Sequence, residues 1–278
     1  MALRRGSYTH SMGRSAAFFD LDKTVIAKSS ALAFGRPFYQ GGLINRRAVL
    51  KSTYAQFVYL VNGADEVQMS RMRDYLTELI KGWDVESVRQ IVAETLHDLI
   101  DPIIYDEAAA LIERHRAAGR DVVIVSSSGD EVVSAIGELL GVDRVIATRM
   151  VIADGRFTGE IEFYAAGPNK AAAIKELAIA EGYDLDECYA YSDSITDEPM
   201  LDIVGHPTAV NPDRALRKLA IERGWPVVTF KRPVALRRRF SEMGRPTGPM
   251  LATAAVGVGA AAVAGMLWYR RNRSTSGT

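Results

Sequence analysis

Short apolar runs that end on polar residues recur along the chain. Ala16 to Phe19 runs into Asp20, and the β-branched run Val122 to Val125 runs into Ser126. Unbroken apolarity over four residues predicts strands buried on both faces, the pattern of a parallel sheet. Similar runs lie at 144–147, 188–191 and 227–230, with helical patterns at 170–180 and 213–221 between them. This alternation predicts an α/β protein with a doubly wound parallel sheet. Such sheets place their sites at the carboxyl ends of the strands, where Asp20, Ser126 and Asp193 fall.

Between the first two strands the apolar period changes. Val49, Leu50, Tyr54, Phe57, Val58 and Val61, then Met69, Met72, Leu76, Leu79 and Ile80, then Val88, Ile91, Val92, Leu96 and Leu99 recur at helical spacing. A small helical insertion is expected there, with Gly63 and Gly82 as breaks and Asp84 as an N-cap. MVIADGRFTGEIEF at 150–163 alternates around Asp-Gly and predicts a β-hairpin.

The C-terminal pattern is different again. No residue from Pro246 to Tyr269 is charged, and MLATAAVGVGAAAVAGMLWY has the length a helix needs to cross hydrocarbon. Trp268 and Tyr269 stand where an interfacial aromatic belt would lie, and Arg270, Arg271 and Arg273 end the run. Lys231, Arg232, Arg237, Arg238, Arg239 and Arg245 precede it. The excess of basic residues upstream predicts that the N-terminal body lies in the cytoplasm, anchored to the cell membrane by a transmembrane helix at 248–269. The expected organisation is an N-terminal tail (1–15), a core (16–26 and 105–230), a helical cap (27–104), a basic linker (231–247), the membrane helix and a short tail (270–278).

Charge changes the picture mainly by exclusion. Thirty-four Lys and Arg balance thirty-four Asp and Glu, so no global positive field exists to hold nucleic acid. The single Cys188 cannot form an intramolecular disulfide and reads as a small core residue. Residues 1–15 carry basic side chains but no long apolar stretch, so no cleaved signal peptide is expected. The four histidines are scattered and suggest no metal cluster; His97 and His115 lie in helical patterns and are expected at the surface or in the cap.

FFDLDKTVI sets two carboxylates, Asp20 and Asp22, two positions apart just beyond a buried strand. In that arrangement one can attack while the other handles protons. Ser126 ends a second strand, Lys170 opens a helix after Gly167 and Pro168, and Asp193 and Asp197 follow a later strand in YAYSDSITDEPML. A carboxylate nucleophile, a hydroxyl, a cation and a second pair of carboxylates suit phosphoryl transfer through an aspartyl-phosphate. The dianionic phosphate must be brought to a carboxylate without repulsion, which lysine and Mg²⁺ achieve.

Over about residues 16–230 the sequence resembles the haloacid dehalogenase superfamily, in particular subfamily IB, the phosphoserine-phosphatase-like proteins with a helical cap. DLDKT matches the first motif, VVIVSSS the strand ending in serine, Lys170 the basic residue and SDSITD the paired aspartates. GHPTAVNPD at 205–213 also looks like that subfamily, while Ser192 stands where the last motif usually has glycine. The resemblance implies a Rossmann-like doubly wound sheet with a helical cap inserted after the first strand. It implies Asp20 as nucleophile and Asp22 as acid and then base. Mg²⁺ would be held by Asp20, the Asp22 carbonyl and Asp193, with Asp197 in support directly or through water. Thr24 would orient the loop and Asp22, Ser126 and Ser127 would bind phosphoryl oxygens, and Lys170 would neutralise charge.

In phosphoserine phosphatases the first motif continues, seven residues past its second aspartate, to a glutamate that binds the substrate amine. Here that position is Ser29, and VIAKSS contains no acid. The expectation is therefore a Mg²⁺-dependent phosphomonoesterase whose substrate is a phosphorylated small molecule. The alternatives are a lipid phosphate such as phosphatidylglycerophosphate or lysophosphatidate, to which a membrane anchor would give access, or a non-catalytic membrane-tethered scaffold.

Overall fold

The computed structural model describes residues 14–43, 74, 77–231 and 233. The chain divides into two units, 1–237 and 238–278, and every described residue belongs to the first. The helical pattern expected at 49–61, that at 69–76 apart from Asp74, and the expected transmembrane helix at 248–269 lie outside the described residues. Among the described residues no helix is long and apolar enough to cross a membrane.

Seven strands form one sheet in the order β4-β3-β2-β1-β5-β6-β7. They are β1 (Ala16–Phe19), β2 (Asp121–Gly129), β3 (Arg144–Ala153), β4 (Arg156–Phe163), β5 (Tyr189–Ser192), β6 (His206–Val210) and β7 (Val227–Val228). All neighbours pair in parallel except β3 and β4. The α/β architecture with a largely parallel sheet is thus as the apolar runs predict. Phe19 lies opposite Ile124 on one side and Tyr191 on the other, so β1 is the central strand from which the order runs both ways. That reversal opens the crevice at the strand ends where Asp20 emerges.

The pleat decides which helices each strand holds. Ala17 and Phe19 face a core shared with α3 (Val85–Ile100), α4 (Asp106–Ala117) and α5 (Asp130–Leu140). Ala16 and Phe18 face the opposite layer, where α6 (Pro168–Glu181), α7 (Glu198–Asp202) and α8 (Arg214–Arg223) pack. Burial of all four β1 residues on two faces explains the unbroken apolar run. The Asp84 side chain accepts from Ser87 N, which caps α3 where the sequence places an N-cap.

Several details depart from the sequence pattern. The run at 144–147 and the first arm of the hairpin are one continuous strand, β3, which turns at Asp154-Gly155 into β4. The hairpin also holds the insertion: Gly82 N donates to Phe157 O, Phe157 N to Trp83 O, and Val85 N to Gly155 O. Two short helices, α1 (Ser30–Ala33) and α2 (Gly35–Gln40), precede that segment. The strand β6 is absent from the expectations because His206 and Pro207 open it, leaving too short an apolar run to register.

His115 corrects the expectation of a surface position. It is buried beneath the sheet, where Arg120 Nε donates to Nδ1 at 2.8 Å and Nε2 lies 2.8 Å from the Tyr191 hydroxyl. Arginine can only donate, so Nδ1 is the acceptor and Nε2 carries the proton given to Tyr191. Burial, with help from Arg120 and Arg114, pushes this imidazole down to about 4, so it is neutral around pH 7. His97 is exposed, as expected, and lies 3.8 Å from Asp101.

Gly205 marks a close approach between the loop before β6 and the turn at 185–187. A Cβ placed there would lie 1.7 Å from the Asp186 carbonyl oxygen, a main-chain atom that cannot swing aside. Gly205→Ala should therefore destabilise the protein by about 3 kcal/mol, the upper range for overpacking a fixed site. A lowered urea midpoint with unchanged slope is the expected result.

Candidate active site

Four loops at the carboxyl end of the sheet bring the candidate residues together. Asp20 follows β1 directly, and its N–H donates to Tyr191 O on β5 at 2.9 Å. The next residues turn tightly, since Val25 N and Ile26 N both donate to Leu21 O. Gly167, at φ +52°, and Pro168 start α6 so that Lys170 sits in its first turn, aimed into the crevice.

Lys170 is the centre of the network. Its Nζ donates to Asp20 Oδ1 at 2.7 Å and to Asp197 Oδ2 at 2.8 Å, and its side chain is 3% exposed. Burial disfavours the ammonium, but Asp20 and Asp197 together outweigh that penalty and raise its pKa above the ordinary lysine range. Burial raises the Asp20 carboxyl, and the attraction of Lys170 opposes it. Asp197 is held twice, because Ser192 Oγ also donates to its Oδ2 at 2.7 Å. Serine at the motif's usual glycine position thus supplies a hydrogen bond to the second aspartate.

Asp22 faces elsewhere. Its Oδ1 accepts from Ser30 N at 2.9 Å, and burial raises its pKa while the Ser30 bonds lower it. Ser30 Oγ in turn donates to Ser128 Oγ at 2.8 Å, which ties the segment after β1 to the end of β2. Ser126 is buried and its Oγ accepts from Ser128 N. Ser127 has an exposed side chain, and its carbonyl accepts from the Thr148 hydroxyl at 2.8 Å. The Thr24 hydroxyl is fully buried and has no hydrogen-bond partner among the described residues.

Asp193 follows β5, the neighbour of β1. Burial, with repulsion from Asp197 and Asp213, pushes it up to about 6 despite the opposing pull of Lys23, whose Nζ lies 3.8 Å away. Sequence reasoning missed Ser30, Ser128 and Ser192 as participants. The Ser-Ser-Ser run at 126–128 was the available signal for Ser128; Ser30 and Ser192 act through partners distant in sequence or through a position read only as a departure.

Among the described residues no three His, Cys, Asp or Glu side chains converge closely enough to enclose a metal by themselves. Asp197 is occupied by Lys170 and Ser192, and the Asp22 carboxylate by Ser30. The carboxylates that suit a divalent cation are thus Asp20 and Asp193, on adjacent strand ends, with a main-chain carbonyl and substrate or water completing the set. An incomplete cage of oxygen donors fits Mg²⁺, which keeps several waters, better than a transition metal.

The sequence matches the haloacid dehalogenase-like hydrolase family over residues 17–202, which takes in every residue of this site from Asp20 to Asp197. The chain belongs to that family. It is 66% identical over 271 residues to a Streptomyces azureus protein named for inhibition of morphological differentiation, covering 97% of this chain and 98% of that one. A probable phosphatase of Mycobacterium tuberculosis is 59% identical, covering 92% and 88%. A phosphoserine phosphatase of the same organism is 35% identical, covering 90% and 80%. Among solved structures, a Bordetella pertussis protein of unknown function superposes with a TM-score of 0.68 at 27% identity, covering 77% of this chain and 98% of that one. This haloacid dehalogenase-family member is a phosphatase of the phosphoserine-phosphatase-like kind, an enzyme rather than a scaffold.

The raised Asp193 carboxyl has a consequence for stability without added metal. Its folded pKa of about 6 lies above the unfolded value near 3.8, so between them the folded state binds more protons than the unfolded state. The contribution of protonated Asp193 is fully present below about pH 4 and is lost as pH rises through about 6. In EDTA, the unfolding free energy of wild type minus that of Asp193→Asn should fall by about 2 to 3 kcal/mol between pH 4 and 7, from the size of the shift. A difference that is flat across that range would show that Asp193 is not strained by its neighbours.

Proposed function

We propose that the enzyme hydrolyses phosphomonoesters through an aspartyl-phosphate on Asp20 with Mg²⁺ as cofactor. The observation that carries this reading is the Lys170 bridge, which holds Oδ1 of Asp20 at 2.7 Å and leaves Oδ2 to attack. An in-line attack forms the Oδ2–phosphorus bond as the ester oxygen departs. Asp22, raised by burial, gives that oxygen its proton. It then takes a proton from water, whose oxygen attacks phosphorus and releases Asp20 and inorganic phosphate.

Lys170 opposes the rise that burial imposes on the Asp20 carboxyl and offsets charge gathering on the phosphoryl group. Ser126, buried in β2, and the Thr24 hydroxyl, which has no hydrogen-bond partner among the described residues, offer polar groups to the phosphoryl oxygens and the loop. Mg²⁺, held by Asp20, Asp193 and the Asp22 carbonyl, would supply charge neutralisation between the incoming phosphate and the carboxylates.

For the substrate, the absence of an acid at Ser29 weighs against phosphoserine, because a substrate ammonium would lack its counter-charge. A phosphorylated small molecule without an amine fits better. The apolar run at 248–269 supports a second reading, in which the enzyme is anchored at the cell membrane with its active site in the cytoplasm and acts on a lipid phosphate.

Two experiments test these readings. Asp20→Asn should reduce hydrolysis of p-nitrophenyl phosphate by at least about a thousandfold, as expected when a covalent nucleophile is lost, with an unchanged circular dichroism spectrum. Retention of full activity in that variant would overturn the mechanism. Truncation after Arg245 should leave hydrolysis of soluble esters intact, since every proposed catalytic residue lies upstream. It should also move the protein from the membrane to the soluble fraction and reduce turnover of a lipid phosphate in vesicles. Equal loss on both substrates would mean instead that the tail stabilises the catalytic body.

A further inference from the structure

Asp213 caps α8, yet two of its hydrogen bonds converge on the loop that carries Asp193. Its N–H donates to the Asp193 carbonyl at 2.8 Å, and its Oδ2 accepts from Ile195 N at 2.9 Å. Its Oδ1 accepts from Leu216 N at 2.8 Å, which is the ordinary bond of an N-cap. The helix needs only that last bond. The other two reach across to the neighbouring loop and fasten its main chain at Asp193 and two residues later.

Asp213 is itself held in place. Asn211, next after β6, takes φ +45°, a conformation that asparagine tolerates. Its side chain accepts from Phe230 N at 2.9 Å and donates to Phe230 O at 3.2 Å, which pins this turn to the segment after β7. Pro212 follows, with φ fixed by its ring. Asp213 therefore reaches the β5 loop from a constrained backbone.

The two aspartates of that loop are secured in different ways. The Asp197 carboxylate is bonded directly by Lys170 and Ser192. At Asp193 the main chain is fastened, and the carboxylate has the Lys23 ammonium 3.8 Å from Oδ2. A carboxylate on a fastened backbone meets a cation without the entropic cost of ordering its loop. Only a carboxylate at 213 can grip the loop and cap α8 together, because each of its oxygens takes one main-chain N–H. An amide has one oxygen and would turn its NH₂ toward the other donor.

We infer that Asp213 is a positioning residue, which holds the loop after β5 so that the Asp193 carboxylate is preset for Mg²⁺. The inference rests on the proposed reading of Asp193 as a Mg²⁺ ligand and adds a residue that acts through it.

Asp213→Asn separates the two tasks. One oxygen still caps α8, where asparagine serves as well as aspartate, but the bond from Ile195 N is lost. The thermal midpoint of the full chain, followed against MgCl₂ concentration, reports metal affinity without turnover. The Mg²⁺ dissociation constant should rise about tenfold in the variant, the scale on which groups bonded to a ligand alter metal affinity. Half-saturating Mg²⁺ for p-nitrophenyl phosphate hydrolysis should rise by the same factor. Asp213→Ser, which also caps with a single oxygen, should match it.

Both substitutions also remove a carboxylate that repels Asp193. Asp213 is exposed, so its charge is open to screening. In about 1 M KCl, where the Debye length is about 3 Å, the ratio of variant to wild-type affinity should persist. Its return to about one would make the effect purely electrostatic and overturn the inference. Gly205→Ala lowers stability without altering Asp213 and should bind Mg²⁺ as wild type does. Equal weakening in Gly205→Ala, or wild-type affinity in Asp213→Asn, would also overturn it. A wild-type midpoint that Mg²⁺ fails to raise would instead overturn the reading of Asp193 as a ligand, a distinct result.

Discussion

Four carboxylates crowd the end of this sheet, and one buried ammonium makes the crowding tolerable. Lys170 joins Asp20 to Asp197 through two hydrogen bonds, 2.7 and 2.8 Å long, in a space closed to water. A buried ion pair of this kind is not an obvious source of stability, because desolvating its members costs as much as their attraction returns. What it does provide is a defined charge state and orientation for Asp20. Removing the lysine would leave two carboxylates facing each other without compensation, and Asp20, the proposed nucleophile, would be pushed further toward its protonated form. The rest of the fold can be understood as what delivers this one side chain: Gly167 and Pro168 set the start of α6, and Ile174 and Ala178 bury the helix against the sheet.

The same electrostatic logic separates the two aspartates of the first motif. Asp20 is bound to the sheet through Tyr191 O and to Lys170, both belonging to the core. Asp22 is bound to Ser30, which belongs to the segment leading into the insertion, and Ser30 is bound to Ser128 of the core. One carboxylate is thus fixed by rigid elements, and the other by a chain of short polar side chains that crosses from insertion to core. In the proposed mechanism Asp22 must carry a proton in one step and lack it in the next, and a partner that can adjust suits that role. The proposed nucleophile, Asp20, is better served by one that cannot.

Much of this was legible in the sequence, for a physical reason. Strands buried on both faces leave an unmistakable mark, so β1, β2 and β5 and the polar residues after them could be located from apolarity alone. Asp20, Asp22, Ser126, Lys170, Asp193 and Asp197 could be named because each follows such a strand or opens a helix. Signals that depend on partners far apart in the chain were illegible. His115 has the polarity of a surface residue and is buried only because Arg120 and Tyr191 satisfy both ring nitrogens. Strand β6 begins with histidine and proline and has little apolar signature of its own. The hydroxyl of Ser192 looked like a lapse in a motif until Asp197 was seen to accept from it.

Ser192 also shows how a family site absorbs change without losing its charge balance. Its hydroxyl adds a donor to Asp197, so that carboxylate is satisfied by Lys170 and Ser192 together and is held away from direct competition for a cation. Asp193, one residue later, faces the Lys23 ammonium at 3.8 Å, and it is the carboxyl pushed up to about 6 by burial and by its acidic neighbours. Two aspartates four residues apart on one loop are thereby given different surroundings. One serine and one lysine saturate the aspartate that supports the nucleophile's partner. Asp193, four residues before Asp197, instead has the Lys23 ammonium 3.8 Å away.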